Sequence, residues 1–491
     1  MAGVNRGAGS FLGIDLGTTN IKAQIVAEDG TVVSSGAAPV GISYGADGAA
    51  EQDMEDIWSG TRAAVKHAVE NADASRVRAI GISSQGGALQ VLDSSGRGSG
   101  PVIGWQDARG GPWNDEVTAR KGRDWCVRHT GITRCIGATG HILRLRAQGA
   151  LPRDFRIGWV GDITVERLCG HRAHDGTSLS EAGLYNPSEG REDDELLEIL
   201  GLSRGILPGL LPVNQAAGRL LPEVAASVGL PPGIPVGPAV HDQYAAATGC
   251  GVVRSGDTML GAGTAWVLIA VAPTLDPPVG GIALVCRHPV PGIFGQLLSM
   301  VNGGACITWA SKLFNRGNMS VKETDALMSE APAGSNGLRF RPLLSDLGAA
   351  GMPPGAAGRL DGLRLGHTSA HVMRALVEGL ACELGRYMDM MARGGVAVRR
   401  LVMCGKAATS DVTPRIIADT TGVLVDCMTV PETSSLGAAI LARALVEPGA
   451  GLVELSDTMK PASVRVEPGP GSAEARARLE EYLRNRGAAS A

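Results

Sequence analysis

The chain of 491 residues is poor in aromatic side chains, with only 5 Phe, 7 Trp and 5 Tyr, so its cores have to be assembled from Ala, Val, Leu and Ile. It also lacks a basic excess. Lys and Arg number 45 against 49 Asp and Glu, a net charge of -4, and no Lys/Arg cluster is interleaved with aromatics, which argues against a nucleic-acid partner. The longest apolar runs, such as AWVLIAVA from Ala265, fall well short of a span, so no membrane contact is expected. The nine cysteines, Cys126 to Cys427, contain no C-x-x-C pair, and the opening MAGVNRGAGS has no apolar segment; reduced thiols in a cytoplasmic protein are the expectation. No G-x-x-x-x-G-K-[ST] occurs, which excludes a Walker-type loop as a phosphate cradle.

What is present is globular: 44% hydrophobic and 19% charged residues, in a chain too long for one ordinary core, so that two domains, or three, are expected. FLGIDLGTTNIKAQIVAEDGTVV predicts a β-meander with a tight Gly-Thr turn. DMEDIWSGTRAAVKHAVENA predicts a helix capped by Asp53, with Ile57, Thr61, Val65 and Ala68 on one face. VRAIGISS and GALQVLDSSGR then read as strands. Residues 110–230 are less regular, with helices expected at DITVERLCG and DDELLEILGL, and VVRSGDT is a hinge candidate. Beyond it the plan recurs. DTMLGAGTAWVLIAVAPT is again strand, Gly-Thr turn and strand; a long helix lies in HTSAHVMRALVEGLACELGRYMDMMARGG; VRRLVMCGKAATSDVTPRIIADTTGVLVDC gives strand, turn, helix and strand; and AEARARLEEYLRNRG closes with a charged helix.

Two Gly-Thr hairpins in two halves of one chain suit a phosphate clamp, because each tight turn presents backbone N–H groups and a hydroxyl to an anion. The first is Asp15-Leu16-Gly17-Thr18-Thr19, followed by Asn20 and Lys22; the second is Gly261-Ala262-Gly263-Thr264-Ala265. Asp15, ending an apolar strand, is placed to hold the water shell of a nucleotide's Mg²⁺. In VGPAVHDQYAAATGCGVV an apolar strand delivers His241 and Asp242, and a carboxylate in such a place is paired, solvated or used. A core polar pair, a metal ligand set and a catalytic base compete, with a helix-capping Asp as the further alternative to the base. For metal, Cys169, His171 and His174, or His367 and His371, would need a fourth ligand that neither set supplies.

Taken in order from about residue 11 to 445, these segments resemble the FGGY carbohydrate kinases of the actin-like ATPase superfamily. GIDLGTTNIK and LGAGTAWVL resemble that family's two phosphate motifs, EQDMEDIW its entry to the first helix, and GWQDARG its Trp-x-Asp-x-Arg loop. AVHDQYAAATGCGVV resembles the strand and helix bearing the catalytic Asp. GRLDGLRLGHTSAHVMRALVEGLA, PRIIADTTGVLV and ETSSLGAAILA resemble its C-terminal motifs. The resemblance implies an α/β fold of two actin-like (ribonuclease H-like) domains around a cleft, residues 11–252 holding the sugar and 253–486 the nucleotide.

It implies an ATP- and Mg²⁺-dependent kinase acting on a sugar, polyol or cyclitol-like substrate, with a homodimer left open. Asp242 would be the base, Asp15 would hold Mg²⁺ through water, and Gln85, Trp105, Asp107 and Gln243 would face the substrate. Thr18, Thr19, Lys22, Gly263, Thr264, Gly304, Gly405, Lys406, Ala407 and Ser410 would face the nucleotide. The alternatives are a catalytically silent nucleotide-binding protein of the same fold and another actin-like phosphotransferase or phosphohydrolase.

Four departures narrow the reading. Gly86-Gly87 stands where glycerol kinases carry Arg-Glu and xylulokinases Met-His, which predicts added space and a different or bulkier substrate. Cys404-Gly405-Lys406-Ala407 replaces a run of glycines, so that Lys406 is expected to crowd the base or reach a phosphate. LLSDLGAAGMPP takes the place of a Gly-Glu-Arg-x-Pro segment, and HILRLRAQG that of a Lys-x-x-Trp stretch.

Overall fold

A computed structural model of the chain describes residues 9–344 and 357–484. The first residues of the MAGVNRGAGS opening, the part of LLSDLGAAGMPP after Leu344, and the end of the C-terminal helix segment after Arg484 lie outside the described residues.

The opening meander is β1 (Ser10–Leu16), β2 (Asn20–Ala27) and β3 (Val32–Pro39), antiparallel throughout. α1 (Met54–Glu70) follows, capped by the Asp53 carboxylate accepting from the Glu55 N–H at 2.7 Å, with Ile57, Thr61, Val65 and Ala68 buried. β4 (Val77–Ser84) returns parallel to β1. Then come α2 (Val160–Cys169), β5 (Ala173–His174), α3 (Gly176–Glu181), α4 (Asp194–Ile199), β6 (Gly209–Leu210), β7 (Pro235–His241) and α5 (Asp242–Gly249). The first sheet runs β6-β5-β7-β4-β1-β2-β3, with the short strand Gly218–Arg219 pairing β7 off that path.

The second half repeats the plan with β8 (Thr258–Ala262), β9 (Trp266–Ala272), β10 (Leu284–Arg287), β11 (Phe294–Ser299), α6 (Gly304–Leu313) and the long α7 (Ser369–Arg393). It ends with β12 (Arg400–Cys404), α8 (Thr413–Thr421), β13 (Leu424–Met428), α9 (Thr433–Val446), α10 (Leu452–Met459), β14 (Ser463–Val466) and α11 (Ser472–Arg484). Its sheet runs β10-β11-β9-β8-β12-β13-β14. In both halves an antiparallel hairpin leads through a crossover helix to a strand parallel to the first: β4 beside β1, and β12 beside β8.

β1 is apolar on both faces because both are covered. Leu12, Ile14 and Leu16 join the core under α1, while Phe11 packs with Leu436, Ala439 and Ile440 of α9; this is the alternation a strand imposes when helices lie on each side. Although it belongs to the second half of the chain, α9 lies between the first sheet and α5. A methyl group at Gly437 would stand 1.7 Å from the Ala245 carbonyl oxygen, so the two helix backbones touch. Among the described residues no helix is long and apolar enough to cross a membrane.

Candidate active site

The carboxyl ends of three adjacent parallel strands carry the acidic groups. Asp15 on β1 lies opposite Ser83 of β4 and, across the hairpin, opposite Lys22 of β2; the Ser83 hydroxyl donates to Asp15 Oδ1 at 2.8 Å. On the other side of β4, Val240 and His241 of β7 pair with Ser83 and Ser84, which sets Asp242 one strand away from Asp15. Burial pushes the Asp15 carboxyl up to about 6, with the neighbouring Asp242 charge the next contribution and Lys22 opposing. Asp242 is likewise pushed up to about 6 by burial, against the hydrogen bonds it receives from Gln243. The helix-capping alternative for Asp242 does not hold: His241 is the N-cap of α5, and Asp242 is its first helical residue.

The wall beside this pair is a closed ring of hydrogen bonds. The Thr18 hydroxyl donates to Gln85 Oε1 and accepts from the Trp105 indole N–H, both at 3.1 Å. Gln85 Nε2 donates to Gln52 Oε1 at 2.9 Å, and Gln52 Nε2 donates to the Thr18 carbonyl at 2.9 Å. Trp105 is 42% exposed, a surface ring tethered at its polar edge rather than a core tryptophan. Asp107, expected to face the substrate, is buried and fully engaged: it accepts from the Ala50 and Arg109 backbone N–H groups and from the Arg109 guanidinium. Burial opposes its ionisation, but these bonds outweigh it and hold the carboxyl below the usual range. It acts on the loop, through Arg109 and Glu51, rather than on the pocket.

Gly86 does not open space. A methyl group at Gly86 would lie 2.7 Å from His241 Cδ2 and 2.9 Å from Glu181 Cβ, so the volume freed at this position is filled from β7 and α3. The expectation of a roomier site is corrected accordingly: the glycine is there because two other side chains use its place.

On the nucleotide side, the β8–β9 hairpin presents exposed Gly263 and Thr264. Their carbonyls accept from the Gly304 and Ala305 N–H groups, each at 3.0 Å, which seats the start of α6 on the turn. Gly405 has φ +83°, and a Cβ there would lie 2.9 Å from the Ala262 carbonyl. The position that demands glycine is therefore retained, and Lys406 projects into solvent from the turn that follows instead of crowding the backbone. Ala407 is half-buried beside it. Ser410, expected at the nucleotide, is buried and serves the frame: its hydroxyl donates to Asp325 Oδ1 at 2.5 Å and accepts from the Thr413 N–H at 2.8 Å, at the start of α8.

Gln243 links the halves. A Cβ at Gly261 would stand 2.7 Å from Gln243 Oε1, so the residue after Asp242 rests on the second Gly-Thr hairpin. Asp15, Ser83 and Asp242, the Thr18-Gln85-Trp105 wall, and the Gly263, Gly304 and Gly405 turns thus form one contiguous site. Thr19 is exposed at the first turn. Ser83, Gln52 and Glu181 were not singled out from the sequence: Gln52 lies in the EQDMEDIW segment without a role assigned to it, Ser83 and Glu181 sit in no motif of their own, and only Gly86 hinted that something else fills its place.

Known proteins place the chain. The signature of the FGGY family of carbohydrate kinases, N-terminal domain, matches residues 10–249, and that of its C-terminal domain matches residues 258–445. The chain belongs to the FGGY family of carbohydrate kinases. It is 29% identical to a xylulose kinase of Escherichia coli (strain K12), covering 91% of this chain and 92% of the relative. It is 30% identical to a glycerol kinase of Thermus brockianus, covering 91% of each. Among solved structures, a xylulose kinase from Rhodospirillum rubrum superposes with a TM-score of 0.83 at 27% identity, covering 97% of both chains. A gluconate kinase from Lactobacillus acidophilus, at 22% identity, shares the fold with a TM-score of 0.86 over 98% of this chain and 99% of that one.

As an FGGY kinase the chain is a phosphotransferase with an alcohol group as acceptor, using ATP and Mg²⁺. The residues fit both. A Cβ at Gly304 would meet the Gly263 carbonyl at 2.6 Å, so α6 and the two hairpin turns leave bare backbone of the kind that phosphates approach. Two neighbouring carboxylates with only Lys22 opposing suit a divalent ion brought with the nucleotide.

Proposed function

We propose that this FGGY kinase transfers the γ-phosphoryl group of ATP to a hydroxyl of a sugar, polyol or cyclitol-like compound, with Asp242 as the base. Residues 11–252 hold the acceptor and 253–486 the nucleotide. The observation that carries the reading is the placement of Asp242: a carboxylate at a strand end, beside Asp15 of the first phosphate turn, on the same helix turn as Gln243, which touches the second.

Phosphoryl transfer needs alignment and charge stabilisation more than covalent help. Asp242, with its pKa near 6, is mostly ionised at neutral pH. It accepts a hydrogen bond from the acceptor hydroxyl, orients that oxygen toward the γ-phosphorus, and takes the proton as the O–P bond forms. Trp105 offers a flat apolar face for C–H groups, and the ring that Thr18, Gln85 and Gln52 make around its N–H fixes its orientation. The Gly263 and Gly405 turns supply backbone to the phosphates, and Thr18, Thr19 and Lys22 face them from the other half. Mg²⁺ when bound, with Asp15 as its protein contact through water, neutralises phosphate charge.

The test is ADP release with Mg·ATP across ketoses, polyols, aldoses and cyclitols, alongside Asp242→Asn. Stimulation by an acceptor that the substitution abolishes, with ATP binding retained, is the expected result. Activity that survives in Asp242→Asn removes Asp242 as the base. Retained ATP binding without stimulation by any acceptor favours a silent nucleotide-binding protein.

A further inference from the structure

Glycine at position 86 is a consequence of what surrounds it. The His241 ring approaches within 2.7 Å of the place its Cβ would take, and Glu181 within 2.9 Å. Around Gly87 the nearest groups are the Glu181 carbonyl at 3.6 Å and Trp105 Cβ at 3.7 Å. His241 and Glu181 therefore stand in the corner bounded by Trp105, Gln85 and the base. His241 Nε2 lies 3.2 Å from Asp242 Oδ1. The ring is 6% exposed, and burial lowers its basicity.

Two buried polar side-chain atoms here lack partners. His241 Nδ1 and Glu181 Oε1 are buried without a hydrogen-bond partner among the described residues. A buried unsatisfied acceptor is costly, and such atoms beside a reacting group point to a ligand that brings donors. Asp242 adds a second carboxylate to the same corner and opposes ionisation of Glu181, after burial as the larger cause.

We propose that in this kinase the acceptor is read by His241 and Glu181, which take over the corner that a side chain at position 86 would fill. The inference rests on the functional reading above and adds the chemical class. Acceptors carry hydrogen-bond donors, hydroxyl or ammonium, next to the reacting hydroxyl, and those with a carboxylate there are rejected by the Asp242 carboxylate.

The experiment compares wild type, Glu181→Gln, and the double variant Gly86→Met with His241→Gly. ADP release is followed with ribitol, myo-inositol, D-glucosamine, D-gluconate and D-xylulose, with circular dichroism and Mg·ATP binding verifying each fold. In the wild type, ribitol, myo-inositol or D-glucosamine stimulates and D-gluconate does not; preference for D-glucosamine over the two neutral polyols identifies ammonium as the donor read. Glu181→Gln raises the KM for the stimulating acceptor tenfold or more, with the KM for ATP within twofold. An acceptor KM within twofold of wild type, or D-gluconate as the best acceptor, overturns the proposal.

In the double variant the ring that excludes a side chain at 86 is gone, and D-xylulose-stimulated ADP release rises at least tenfold over wild type. A folded, ATP-binding double variant with no such rise also overturns it. This arm decides the inference even if no compound stimulates the wild type, an outcome that counts against the functional reading instead.

Discussion

Replacing Asp242 by Asn should abolish turnover and at the same time stabilise the protein, and the second effect has a defined pH dependence. The carboxyl is raised by burial from 3.8 to about 6, so the folded state binds a proton more tightly than the unfolded chain. Below about pH 3 both states are protonated and the group is neutral with respect to folding. As pH rises from there to 6 the unfolded chain ionises first, and stability is lost; above 6 the loss is complete. A shift of that size corresponds to about 3 kcal/mol. Because the Asp242 side chain is 26% exposed and the amide gives up hydrogen bonds with Gln243, a net gain of about 1–2 kcal/mol is expected at pH 8. Relief of the repulsion on Asp15 acts in the same direction. The assay is denaturant unfolding of wild type and variant at pH 4, 6 and 8 without nucleotide. The difference should be smallest at pH 4 and reach its plateau by pH 7. A variant that is less stable than wild type at pH 8, or a difference independent of pH, would refute the electrostatic account of the site.

Gly405→Ala forces a Cβ into a left-handed backbone 2.9 Å from the Ala262 carbonyl; a loss of about 1–3 kcal/mol and a KM for ATP raised tenfold or more should appear in unfolding and steady-state assays. Thr18→Val removes the hydroxyl shared by Gln85 and Trp105, leaving buried Gln85 Oε1 unsatisfied at a cost of about 1–3 kcal/mol; the acceptor KM rises, and Trp105 emission changes because its N–H loses its partner. Away from the site, Glu383→Gln breaks a fully buried pair with Arg386 that also accepts from the Tyr482 hydroxyl at 2.8 Å. It should cost about 3–5 kcal/mol in denaturant unfolding while kcat/KM of the folded fraction stays within twofold.

Much of the site was legible because its parts are local. The Gly-Thr hairpins, the Asp53 cap and the glycine turn at Gly405 each follow from a few neighbouring residues whose dihedral preferences or capping groups decide the backbone. Asp107 and Ser410 show the limit of that reading. Their motifs put them near the cleft, but whether a carboxylate or hydroxyl faces substrate depends on which donors come close. Arg109 and Ala50 claim the first, and Asp325 with the α8 amides claims the second.

By itself, then, the amino-acid order determined the two repeated strand-turn-strand plans, the strand that carries Asp242, and the chemistry open to a chain with two phosphate turns and two strand-end acids. Only the tertiary structure decided that burial raises both Asp15 and Asp242, with the Asp242 charge adding to the shift of Asp15, that α9 crosses back to pack on α5, and that Gly86 marks occupied volume instead of empty space. The reason is the range of the forces. Hairpins and caps are set by contacts within a few residues, whereas desolvation, charge coupling and steric exclusion depend on segments such as 86, 181 and 241, which are distant along the chain and meet only when the sheet closes.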